Sequence, residues 1–174
     1  MKINQILRLM NKTPKQLFLV LILGIVSAYT LSLNQQKAQE SVIQGIVIKV
    51  IDGDTIDVLD LNQTKHRIRL YGIDAPEKKQ SYGNKAREFL ASLIAGKEVK
   101  VLIKDKDKYQ RNIGLILLDG MDINKEMVKN GYAWAYIEYS KDYATEEVDA
   151  KTFKLGLWAD KNSIKPSEFR KIHR

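Results

Sequence analysis

The stretch VIQGIVIKVIDGDTIDVLDLNQTKHRIRLY, residues 42–71, decides the fold. Its first nine residues are largely β-branched and apolar, broken by Gly45, and mark a strand. Ile51-Asp52-Gly53-Asp54 then reads as a tight turn, because Asp-Gly favours the positive backbone angles of hairpins. Residues 55–59 alternate as a second strand, and Leu61-Asn62-Gln63-Thr64 is a second turn. Residues 65–71 set His66, Ile68 and Leu70 against Arg67, Arg69 and Tyr71, which gives a third strand. A period of two places Arg67 and Arg69 on one face.

Working outward, Ser81 can cap a helix in which Tyr82, Ala86, Phe89, Leu90, Leu93 and Ile94 follow helical spacing and Gly96 ends the run. Residues 98–103 form a fourth strand, residues 104–109 a charged loop, and residues 113–118 a fifth strand. Asp122 begins a short helix with Ile123, Met127 and Val128 inward, stopped by Gly131. Residues 145–155 form a third helix, ended by Gly156, after which Leu157 and Trp158 latch onto the core. Three strands, a helix, two strands and further helices predict a mainly β fold, a five-stranded barrel of OB type with three added α-helices. This domain spans residues 41–174.

Residues 1–40 are of another kind. LFLVLILGIVSAYTLSL, residues 17–33, is uncharged and sits at the short end of what a membrane-spanning helix needs, about 17–25 residues. Lys2, Arg8, Lys12 and Lys15 precede it, which predicts a cytoplasmic N-terminus and export of the remainder. Two outcomes stand open. One is a cleaved signal peptide with a small-residue site at Val26-Ser27-Ala28. The other is an uncleaved signal anchor that holds the domain to the membrane through residues 17–33. Either gives an exported protein: secreted, periplasmic, or tethered to the outer face of the cytoplasmic membrane. The polar tract Asn34-Gln35-Gln36-Lys37-Ala38-Gln39-Glu40 reads as a linker.

The formal net charge of +8 divides evenly across this boundary, since residues 1–40 carry five basic groups and one acid. The domain itself is mildly basic, which suits a polyanionic partner but is also explained by solubility. A hydrophobic fraction of 44% supports a real core. There is no cysteine, and His66 and His173 are the only histidines, so thiol nucleophiles, Cys-rich zinc sites and His-pair zinc motifs are excluded. Catalysis must rest on carboxylates, arginines, tyrosines or a hard metal ion.

Those groups gather in two places. Asp52, Asp54 and Asp57 lie within six residues, and RLYGIDAPE, residues 69–77, adds Arg69, Asp74 and Glu77. In a three-strand meander the start of the second strand lies by the end of the third, which brings Asp54 beside Asp74. Two carboxylates that close repel unless a cation sits between them, and hard cations such as calcium take several oxygen ligands at once. Pro76 fixes the backbone so that Glu77 holds a set offset from Asp74, where it could accept a proton from water or orient it. Arg69 and Arg111 could grip one phosphate in bidentate fashion. Singly, each of these residues also fits a plain turn or surface role. Together they point to attack of water on a phosphodiester with a metal's help.

On these residues the chain resembles the staphylococcal nuclease family. The resemblance spans about residues 42–159 and rests on several blocks in order: Val50-Ile51-Asp52-Gly53-Asp54-Thr55, Arg69-Leu70-Tyr71-Gly72-Ile73-Asp74-Ala75-Pro76-Glu77, Asp107-Lys108-Tyr109-Gln110-Arg111-Asn112, Val128-Lys129-Asn130-Gly131-Tyr132-Ala133 and Gly156-Leu157-Trp158. It implies an OB-fold barrel with added helices and a calcium-dependent nuclease that cleaves DNA and RNA and leaves 3′-phosphate ends. It implies Asp54, Asp74 and the backbone carbonyl of Ala75 as metal ligands, Glu77 as the group that handles water, and Arg69 and Arg111 as catalytic arginines. Lys108 and Tyr109 match residues near the neighbouring phosphate of the substrate. The match weakens over residues 134–140, where the family places aromatic groups near the base. A monomeric enzyme is expected. The rival class is a non-catalytic OB-fold module, tethered at the membrane, that binds nucleic acid or protein. That role needs only basic and stacking groups, whereas here the acids and both arginines are all present.

Overall fold

The computed structural model describes residues 14–37 and 41–173, and in the first segment it describes the side chains of residues 18–29. The chain divides after Glu40 into two units. In the first, one helix, α1 (Pro14–Lys37), carries the apolar run. Lys2, Arg8, Lys12 and residues 38–40 lie outside the described residues, as do the side chains of Leu17 and residues 30–33. Among the described residues, no helix is long and apolar enough to cross a membrane.

The second unit is a barrel. β1 (Val42–Val50), β2 (Thr55–Asp60) and β3 (Lys65–Leu70) make the expected antiparallel meander. A two-residue strand, β4 (Ile73–Asp74), and helix α2 (Gly83–Ile94) follow, then the hairpin of β5 (Glu98–Lys106) and β6 (Asn112–Leu118). β5 pairs with the far side of β1, and β6 returns to β3 in parallel, setting Ile68, Arg69 and Leu70 opposite Asn112, Ile113 and Gly114. This last pairing closes the barrel and removes the open sheet edges. Inward residues alternate along the strands: Val47, Ile56, Val58, Ile68, Leu70, Val99, Val101 and Ile116 are fully buried. Each such side chain contributes roughly 1.5–3 kcal/mol when taken from water. Ala86, Leu90 and Ile94 of α2 join the same core, as do Ile123, Met127 and Val128 of α3 (Ile123–Lys129).

The rest of the chain wraps this core. β7 (Met121–Asp122) pairs with β6, and β8 (Trp134–Ala135) pairs with β4. Helix α4 (Ala144–Thr152), a 3-10 turn (Gly156–Ala159) and helix α5 (Pro166–Ile172) complete it. Leu157 is buried and its N–H bonds to the Gly131 carbonyl (2.9 Å), which is the expected latch. Trp158 meets Trp134 edge-on, with ring centres 5.0 Å apart.

Four local expectations are corrected. Gly53 does not adopt a positive φ. The turn is held instead by Asp52, whose Oδ1 accepts the Asp54 N–H (3.1 Å). Glycine is required there for space, because a Cβ at position 53 would lie 2.7 Å from the Ala75 methyl and 2.8 Å from that of Ala86. The residue before α2 is Tyr82, in a left-handed conformation with no side-chain cap, rather than Ser81. β5 runs on to Lys106 across a bulge, so residues 104–106 are strand rather than loop. α4 stops at Thr152, because Lys154 turns left-handed (φ 54°) and redirects the chain. The domain also has a fourth α-helix, α5, beyond the three expected, and Pro166 at its first turn starts it.

Away from the acids of the cleft, one buried polar side chain ties several elements together. Asn124 is fully buried; its Oδ1 accepts the Ile116 N–H (3.1 Å), and its Nδ2 donates to the carbonyls of Tyr71 (2.9 Å) and Gly114 (3.1 Å). It thereby ties α3 to β6 and to the residue that follows β3. Substituting Asn124 with Ala removes the partner of the Ile116 N–H and of the Tyr71 carbonyl, each costing about 1–3 kcal/mol unless water enters, while the Gly114 carbonyl keeps the Tyr71 N–H (2.8 Å). We expect Asn124→Ala to lower the unfolding free energy by about 2–4 kcal/mol in urea titration, with an unchanged slope.

Candidate active site

The site is built where the β1–β2 loop meets the end of β3. The Leu70 N–H donates to the Asp54 carbonyl (2.8 Å), and Thr55 lies opposite Arg69 in register. Asp54 is thereby fixed beside Arg69 by backbone alone. Asp74 arrives at the end of β4, which β8 secures by setting Trp134 opposite it. The Asp54 carboxylate then reaches across to the next segment: Oδ2 accepts the Ala75 N–H (3.1 Å), and Oδ1 accepts the Thr55 hydroxyl (3.0 Å).

Arg69 bridges the two acids. Its Nη2 lies 3.1 Å from Asp54 Oδ2 and 3.0 Å from Asp74 Oδ1. Burial works against the charge on Arg69, but the Asp54 and Asp74 carboxylates outweigh it and hold its pKa above the ordinary value. Burial also pushes the Asp74 carboxyl upward, with Asp54 adding to the rise, while Arg170 and Arg69 pull it down. Asp52, at the cleft edge, is pushed up to about 6 by burial and by the charge of Asp54. Asp57, third of the clustered acids, belongs elsewhere: Arg67 holds it through a two-pronged pair at 2.8 and 3.1 Å and keeps its pKa low.

An open cleft of about 480 Å³ collects the remaining groups. Asp54, Arg69, Ala75, Glu77, Lys108, Tyr109 and Arg111 all line it, although they come from three separate parts of the chain. Asp74 does not line the cleft; it is buried, and guanidinium groups cover both its oxygens. Arg111 is brought in by the β3–β6 pairing and by the turn before β6. There Asp107 accepts the backbone N–H groups of Tyr109 (2.8 Å) and Arg111 (2.9 Å), and its Oδ2 takes the Arg111 Nε–H at 2.6 Å. Gln110 adopts φ 62° in the same turn. Lys108 and Arg111 both lie over the Tyr109 ring.

Three contributors were not singled out from the sequence. Asp107 positions Arg111, and an aspartate two and four residues before the groups it bonds is the ordinary signal of such a turn. Tyr136 lines the cleft and stacks near Tyr139, 6.2 Å between ring centres. Arg170 of α5 enters the cleft from the far end of the chain: its Nη1 lies 2.7 Å from Glu77 Oε1 and 3.2 Å from Asp74 Oδ1, and its Nη2 lies 3.0 Å from Asp74 Oδ2. The start of α5 at Pro166 was a visible signal for the helix, but nothing local marked Arg170.

Among the described residues, no cluster of three or more His, Cys, Asp or Glu side chains is placed to hold a metal ion. The available donors are two carboxylates and backbone oxygen, a hard-oxygen set that suits calcium or magnesium with water completing the shell. The fit is supported by what now covers Asp74, where a guanidinium stands in the position of a cation and bonds both oxygens.

The chain is similar in sequence to known proteins over most of its length. The family model of staphylococcal nuclease homologues matches residues 67–160. A protein of Haemophilus influenzae named an uncharacterized endonuclease is 42% identical over 127 residues, covering 72% of this chain and 71% of that protein. A micrococcal nuclease of Shigella flexneri is 39% identical over 144 residues, covering 75% and 82%. A staphylococcal-like nuclease of Arabidopsis thaliana is 43% identical over 112 residues, covering 63% and 35%. A family model that matches more than half of the chain, and relatives about 40% identical over most of its length, lead to one conclusion: the chain belongs to the staphylococcal nuclease family.

Proposed function

We propose that the protein is an exported, calcium-dependent nuclease that hydrolyses phosphodiester bonds of DNA and RNA and leaves 3′-phosphate ends. Its family makes it a nuclease hydrolase with nucleic acid as substrate, and nucleases of this family are generally metal-dependent. The observation that carries the assignment is the convergence of Asp54, Asp74 and Arg69 beneath a cleft walled by Glu77 and Arg111. A module that only binds nucleic acid needs basic and stacking groups, and buried carboxylates at the floor would repel a phosphate unless a cation offset them.

Asp54, Asp74 and the Ala75 carbonyl would hold the ion. When bound, it supplies a Lewis acid that polarises the phosphoryl oxygen and lowers the pKa of water. Glu77 takes a proton from the attacking water or orients it. The water oxygen bonds to phosphorus, the bond from phosphorus to the 5′ oxygen breaks, and that oxygen leaves as the alcohol once it gains a proton. Arg69 and Arg111 stabilise charge on the equatorial oxygens as the transition state forms. Lys108 and Tyr109 lie where the neighbouring phosphate of the substrate would be held. Asp107 fixes Arg111 through Nε, which orients the Nη edge of the guanidinium. A single chain suffices for these groups, which supports a monomer.

The full-length chain should cleave single-stranded DNA with calcium and stop on chelation. Glu77→Gln and Arg111→Ala should each reduce turnover sharply, by on the order of 10³–10⁵ for the arginine. Wild-type rates in both variants, or cleavage that ignores chelator, would remove the assignment. End-labelling of the products tests for the 3′-phosphate.

Export rests on the basic flank and apolar run of residues 1–33. N-terminal sequencing of protein recovered from the producing cell should give a start near Tyr29 if the segment is cleaved. An intact segment in the membrane fraction would identify an anchor, and an intact soluble chain in the cytosol would exclude both.

A further inference from the structure

Arg170 occupies oxygens that the metal reading assigns to the ion and to water. Its guanidinium fork takes both Asp74 oxygens, at 3.2 and 3.0 Å, and reaches Glu77 at 2.7 Å. Asp74 is buried and does not line the cleft, whereas Arg69 and Arg170, which bond its oxygens, both do. Asp74 Oδ1 already accepts from Arg69 and Arg170, and Oδ2 accepts from Arg170, so a cation at Asp74 would sit directly against the Arg170 guanidinium and be opposed by its charge.

We propose that α5 is a latch on the catalytic cleft: Arg170 holds Asp74 and Glu77 in the metal-free protein, and the divalent cation must displace it to enter. The proposal rests on the metal site described above. The weakness of the helix that carries the fork makes displacement feasible. α5 has seven residues, well short of what holds a helix together on its own. Pro166 is its only buried residue, and Phe169 contributes to a small apolar cavity with Trp134, Leu157 and Ile164. A segment with so few buried contacts opens at low free-energy cost. Arg170 itself is more than a third exposed, whereas Asp74 is buried, so opening returns the guanidinium to water and leaves the carboxylate for the ion.

The closed latch scales apparent metal affinity down to the fraction of molecules that it leaves open. A latch closed in nine molecules of ten weakens binding about tenfold. The mere positive charge of Arg170 would also oppose a cation, and Lys171 separates the two causes. It is the neighbouring exposed cation on the same helix and makes no contact with the acids.

Calcium binding to the full-length chain, measured by isothermal titration calorimetry without substrate, should be about tenfold tighter in Arg170→Ala than in wild type. Lys171→Ala should match wild type within about twofold, and Arg170→Lys, which keeps the charge but loses the fork, should fall between. Calcium should also raise amide hydrogen exchange across residues 166–172 of the wild type. Equal or weaker binding by Arg170→Ala, an equal gain in Lys171→Ala, or exchange in residues 166–172 that calcium leaves unchanged would each overturn the latch alone. No calcium binding by any of the four proteins would overturn the metal site and the latch with it.

Discussion

Two buried carboxylates share one guanidinium at the centre of this domain. Asp54 and Asp74 come from different elements, and neither tolerates the other's charge without Arg69 between them. Removing one partner from a buried charge cluster typically costs about 3–5 kcal/mol, so the bridge holds the structure together whatever else it does. Its geometry depends on two backbone facts: the Leu70 bond to the Asp54 carbonyl, and the small residues that let the loop approach. Gly53 lies against the methyls of Ala75 and Ala86, so the loop with Asp54, the segment with Asp74 and helix α2 form one packed unit. The barrel sets the position of β3, and that unit sets the position of the acids relative to it.

Closure of the barrel extends the site beyond this bridge. β3 and β6 are distant in sequence, yet their parallel pairing puts Ile113 beside Arg69. The turn just before Ile113 then projects Lys108, Tyr109 and Arg111 over the acids. Asp107 converts that loop into a fixed wall by taking three N–H groups of its own turn. The core therefore positions the groups that line the cleft through strand register, and the loops add the last degree of orientation.

What the sequence disclosed follows from the range of each interaction. Arg67 and Arg69 on one face, and Asp54 near Asp74, were legible because alternation and a meander are local. They did not separate in function until Asp57 was seen to claim Arg67, a pairing that cross-strand register decides. The five main strands were legible for the same reason. The Asp-Gly turn was misjudged because glycine there answers a packing demand from Ala75 and Ala86, which lie more than twenty residues away, rather than a backbone angle. That Arg111 would face the cleft needed the non-local β3–β6 closure, and only the family resemblance anticipated it. Arg170 lies 96 residues from Asp74. On a short basic helix it looks like any solvated charge, and only the folded chain gives it a partner.

Charge in the cleft ties these features together. Asp54, Asp74 and Glu77 face Arg69 and Arg170, which leaves the metal-free site slightly acidic at its floor. Adding a divalent cation while keeping Arg170 would force like charges together around Asp74. Exchanging one for the other instead leaves the floor close to neutral, with the ion's charge concentrated where a phosphodiester can approach. Arg111 does not disturb this balance, because Asp107 already pairs with it. A site arranged this way stays folded without its metal, since an internal cation neutralises the buried carboxylates. Under the proposed exchange it would also resist binding phosphate until a metal replaced that cation, because before the exchange the fork of Arg170 is occupied by the protein's own acids.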